Sequence, residues 1–116
     1  MAVQHFSGAD LPADRSIIEG RGFTASVVRF DAGSGRSDRW HHHGEHHLIA
    51  YIIVGAIRIE SGPGGSLVSE PRPGDLICIE PHTVHRETYE GYIEFVGFSS
   101  GSGIGRVDVG MPDVTT

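Results

Sequence analysis

From Phe23 to Val109 this chain is a series of short apolar runs, rich in valine, isoleucine and aromatic residues, broken every few positions by glycine or proline. No long segment repeats its apolar residues at period 3.6, so extended helices are not expected; the stretch 8–18 has room for one turn. The runs 23–30, 40–43, 47–54, 56–60, 66–70, 75–80, 85–89, 92–98 and 106–109 read as strands. Between them, Gly33-Ser34-Gly35, Gly55, the loop Ser61-Gly62-Pro63-Gly64-Gly65 and Pro71-Arg72-Pro73-Gly74-Asp75 interrupt pairing, because proline removes a ladder donor and glycine admits positive φ. Eight or nine strands at this spacing imply antiparallel sheets closed into a sandwich or barrel.

The sequence of 116 residues is long enough for one core and no more. Residues 1–20 read as an N-terminal arm, 21–109 as the barrel and 110–116 as a C-terminal tail. A formal charge of −6 argues against nucleic acid, whose binding rests on neutralising phosphates. All nine basic residues are arginine, so neither a Schiff-base lysine nor a P-loop lysine is available. No apolar run is long enough to span a bilayer and the N-terminus lacks a secretory pattern, so the expected location is cytoplasmic, without membrane contact. The single cysteine, Cys78, alternates with Leu76 and is expected as a small buried hydrophobe. The Gly101–Gly105 segment has no lysine and no following helix, and reads as a flexible connection rather than a phosphate loop.

Alternation along 47–54 puts Leu48, Ala50, Ile52 and Val54 on one face and His47, Ile49, Tyr51 and Ile53 on the other. Both faces are apolar, so both should be covered. One belongs to the barrel interior. The other is expected to pack on a second subunit, because a chain this short has little left to cover it; the expectation is a homodimer.

The chemistry is concentrated in Trp40-His41-His42-His43-Gly44-Glu45-His46-His47, which holds five of the eight histidines. The run is internal and interrupted, unlike a purification tag. On an extended strand His41 and His43 share a face and His42 points away. Two imidazoles at that spacing make half of a metal site, and His85, at the start of a later strand, is the best candidate for a third.

Gly35, His41, His43, Leu48 and Gly55 reproduce the spacing of the first cupin motif, and Gly74, Glu80, His82 and His85 that of the second as far as its final histidine. The chain therefore resembles the small single-domain cupins. The resemblance implies an all-β, cupin-like double-stranded β-helix (a jelly-roll barrel), usually dimeric, with one divalent transition metal per chain held by His41, His43 and His85. It leaves Fe, Mn, Ni and Zn undistinguished. The family's glutamate position is filled by Leu48, which cannot ligate; Glu80, His82 and Tyr89 stand where the pattern has proline, glycine and asparagine. Three answers to the missing carboxylate stay open: three histidines with water, a fourth ligand from His47 through a one-residue bulge, or Glu45 from the loop.

Glu45, Glu80 and Glu94 are candidates to receive the second N–H of a ligating imidazole. Trp40 walls the pocket or packs in a barrel corner; Leu48 is expected as an apolar wall, and Tyr51 as a pocket or packing residue. The expected function is a mononuclear metal-dependent enzyme acting on a small organic molecule, of dioxygenase or Lewis-acid isomerase or lyase type. A non-catalytic ligand- or metal-binding module, or a purely structural metal site, are the alternatives.

Overall fold

The computed structural model describes residues 3–11, 15–18, 22–101 and 105–114. Among these lie nine strands, all in antiparallel pairs: β1 (Arg15–Ile18), β2 (Phe23–Asp31), β3 (Arg36–Ser37), β4 (His41–His42), β5 (His47–Ser61), β6 (Leu67–Ser69), β7 (Leu76–Ile79), β8 (His85–Ser100) and β9 (Val107–Asp108). Single 3₁₀ turns occupy Gly8–Asp10 and Pro63–Gly65. The all-β expectation holds. The expected breaks at Gly55 and at Glu90-Gly91 do not end strands: each pair of runs is one long bent strand.

Two strands organise the barrel. The C-terminal half of β8 lies between β2 and β5, with Val27, Val96 and Tyr51 abreast; its N-terminal half pairs with β3, β4 and the end of β5. Register shifts fall between Ile52 and Val54 and between Val54 and Ala56. Before them Leu48, Ala50 and Ile52 face inward; after them Ile57 and Ile59 do. An extra residue reverses the alternation, which is why Val54, expected beside Ile52, is exposed instead. Gly55 makes the bend possible. It sits at φ +115°, and a Cβ there would lie 2.6 Å from both Ile93 Cδ1 and the Tyr92 carbonyl.

Ile52, Ile57, Ile59 and Ile93 form the buried core, with Phe30, Ile77, Tyr89 and Phe95 packed against it. Each buried aliphatic side chain contributes about 2 kcal/mol. The opposite face of the β7–β5–β8 sheet is bare: Leu76, Tyr51 and Phe98 are exposed there. So is Cys78, contrary to the expectation of a buried thiol. The alternation with Leu76 was sound, but the face they share is the outer one. No helix among the described residues is long and apolar enough to cross a membrane. Of the Gly101–Gly105 connection, residues 102–104 lie outside the described residues.

Candidate metal centre

β4 and β8 bring the two halves of the histidine set together. His41 is the direct partner of His85 in the ladder, and residue 43 returns to the face of residue 41. The ring centroids of His41 and His85 are 4.3 Å apart, those of His41 and His43 4.9 Å, and those of His43 and His85 5.1 Å. One ring nitrogen from each of the three falls within 4.8 Å of the others. His41 and His85 are fully buried, each 1 % exposed.

Main-chain carbonyls orient all three rings. Nδ1 of His41 faces the Arg39 carbonyl, Nδ1 of His43 lies 2.8 Å from that of Gly105, and Nδ1 of His85 lies 2.9 Å from that of Thr83. A carbonyl only accepts, so each Nδ1 carries a proton, and in the neutral ring each Nε2 keeps its lone pair. These partners are not the acids expected from the sequence. Glu80 is exposed, and Glu94 pairs with Arg29 and accepts from the Tyr92 hydroxyl.

The other sequence candidates separate clearly. Leu48 lines the cavity beside His41 and His43. His47 and Tyr51 are exposed on the outer face of β5, and Glu45 is exposed in the loop; none belongs to the cluster. His42 turns away, its Nδ1 accepting from the Gly44 N–H at 3.0 Å. Trp40 is the barrel corner, with the Arg86 guanidinium 4.8 Å above its ring and Gly65 against its edge. His82 is exposed at φ 60°. That is the left-handed conformation in which the cupin pattern has glycine.

Glu87 and Asp38 were not among the sequence candidates. With His41 they form a second group whose ligating atoms lie within 4.8 Å of one another. Glu87 Oε1 approaches His85 Nε2 to 3.3 Å, without hydrogen-bond geometry, and that Nε2 has no hydrogen-bond partner among the described residues. Glu87 Oε2 accepts from the Tyr89 hydroxyl at 2.7 Å. Asp38 is gripped by both terminal nitrogens of Arg106, at 2.8 and 3.0 Å, while Arg106 Nε reaches Asp108. His85, Glu87 and Tyr89 alternate on one strand and share a face, but the sequence does not show that this face turns inward.

These contacts set the charges. Burial holds the His43 imidazole down to about 4; the Gly105 carbonyl opposes this, and the nearby His85 and His41 add to it. Burial also resists charge on His85, but Glu87 and the Thr83 carbonyl outweigh it and raise its pKa. Burial would raise the Glu87 carboxyl, yet the adjacent His85 and the Tyr89 hydroxyl leave it below the usual carboxylate value. The Arg106 hydrogen bonds lower Asp38.

The histidines stand beside a cavity of about 270 Å³, walled mainly by Leu48, Ile52, Ile57, Ile59, Ile77 and Phe95. No protein-family model and no curated protein matches the sequence. Solved structures do match. A conserved protein with a double-stranded β-helix domain from Klebsiella pneumoniae is 18 % identical, with a TM-score of 0.67 over 91 % of this chain and 84 % of that one. A cupin-2 domain protein from Shewanella frigidimarina is 16 % identical, with a TM-score of 0.62 over 86 % and 85 %. The chain has the cupin fold. KdgF from a Halomonas species shares this cupin architecture at 23 % identity, with a TM-score of 0.63 over 77 % of this chain and 79 % of that one. The histidine cluster fits a metal-binding cupin.

Proposed function

We propose that His41, His43 and His85 hold one divalent transition metal and that the chain is a mononuclear metal-dependent enzyme for a small organic molecule, of dioxygenase or Lewis-acid isomerase or lyase type. The observation that carries this reading is the tautomer set: three Nδ1–H groups facing carbonyls, with three Nε2 lone pairs left for one ion. Neutral imidazoles suit Fe, Mn, Ni or Zn. Such an ion supplies Lewis acidity toward a substrate oxygen and open positions beside the three nitrogens.

The rest of the chemistry belongs to the chain. The aliphatic walls exclude water and take the apolar body of the substrate. Glu87 and Asp38 stay ionised and favour a cation at their end of the cavity. Burial and the adjacent Glu87 push the Tyr89 phenol far above its ordinary value, so Tyr89 Oη keeps its proton and acts as a donor, not a base. An open cavity beside the histidines favours turnover over a purely structural ion.

Metal analysis of untagged protein is expected to find about one transition-metal ion per chain, and His85→Ala should lose it. Oxygen uptake on a panel of diketones and thiols separates the dioxygenase type from the isomerase or lyase type. Full metal retention by His85→Ala would remove that residue from the site.

A further inference from the structure

We propose that Glu87 supplies the carboxylate ligand of this centre, from β8, in place of the β5 position that Leu48 fills. The proposal rests on the three-histidine reading above.

Two clusters of ligating atoms overlap here. His41 belongs to the group with His43 and His85 and to the group with Asp38 and Glu87. Glu87 also reaches the other side of the histidine set, since its Oε1 is 3.3 Å from His85 Nε2. That nitrogen is buried and has no hydrogen-bond partner among the described residues. A carboxylate oxygen and an imidazole nitrogen do not approach in the interior without a cation to share, a proton on His85 in the metal-free chain or a metal ion in the loaded one.

The two acids near His41 are not equivalent. Both oxygens of Asp38 are held by Arg106. Among the described residues Glu87 is hydrogen-bonded on Oε2, by Tyr89, and its Oε1 lies on the His85 side. The Glu87 side chain is only 17 % exposed, and its one ion-pair partner among the described residues is His85, which is charged only when protonated. A buried carboxylate is costly unless a positive charge answers it. An ion on His41, His43 and His85 is that charge, and Glu87 reduces the net charge of a divalent centre from two to one.

The test uses zinc with the whole chain, competed against a chromophoric chelator and located by anomalous diffraction at the zinc edge. Glu87 Oε1 is expected about 2.0–2.2 Å from the ion. Glu87→Gln, which keeps the shape and loses the charge, is expected to weaken zinc binding by about tenfold or more, and Glu87→Asp by less. The inference is overturned if the zinc-edge map shows water in place of the carboxylate, or if Glu87→Gln binds zinc as the unaltered chain does. His43→Ala separates the two readings. If it also binds zinc undiminished, the three-histidine site itself fails; if it loses zinc while Glu87→Gln does not, only the carboxylate assignment fails.

Discussion

His43 and His85 belong to one cluster yet respond to protons in opposite directions, and both contribute to how stability varies with pH in the metal-free protein. The unfolded chain protonates His43 near its ordinary value of 6.5, the folded chain only at about 4. Stability is therefore lost as pH falls from 6.5 toward 4. For His85 the folded value is the higher one. Its contribution is complete below 6.5 and is lost as pH rises through the raised value. Thermal unfolding in excess chelator is expected to show a maximum close to pH 6.5, with the acid limb flattened in His43→Gln. A melting temperature that climbs steadily into acid would contradict it. Pairwise alternation made His41 and His43 legible as neighbours, and the spacing after Gly74 pointed to His85. Glu87 was not legible in the same way. A glutamate between Arg86 and Thr88 reads as a solvated strand acid, and only closure of the barrel puts its face inside. The carbonyls of Arg39, Thr83 and Gly105 escaped notice for a simpler reason: any residue type supplies a carbonyl.

Among the elements, β5 shows what a strand pattern does and does not carry. Alternation put Leu48, Ala50 and Ile52 inside and Tyr51 outside, as found, while Ile49, exposed on the outer face, also borders the cavity. It failed at Val54 because a register shift is a property of the pairing with β8, invisible along one strand. Gly55 marks the place, and its replacement tests the explanation. Gly55→Ala forces a Cβ against Ile93, which is 0 % exposed, at a left-handed backbone position. A loss of about 3 kcal/mol in chemical denaturation is expected; a change within experimental scatter would show that the bend does not need glycine. β9 falls within the expected run 106–109, while the two-residue β3 was not foreseen, and neither strand's partner shows in the sequence. They carry too few residues for periodicity, and pair only because β8 and β4 present open edges.

For the whole molecule, the bare outer face asks for a partner. Ile49, Tyr51, Phe98, Leu76 and Cys78 lie across three adjacent strands, with no charged side chain among them. An uncharged patch on a chain of net charge −6 meets its own image without repulsion. A second copy of this chain is the occupant we propose. Sedimentation is expected to give twice the chain mass, and Tyr51→Glu with Leu76→Glu to give single chains in which Cys78 reacts faster with thiol reagents. An unaltered chain that sediments as a monomer at micromolar concentration would sink the proposal.

The strand β9 has a temporal meaning as well. The carbonyl facing His43 belongs to residue 105, and β9 closes against His41 and His42 immediately afterwards. During synthesis, a ribosome that has released everything through Ser100 has delivered every imidazole but not the peptide that fixes one of them. The fixed orientation of the His43 ring is thus a late event, reached only after residue 105 has left the ribosome.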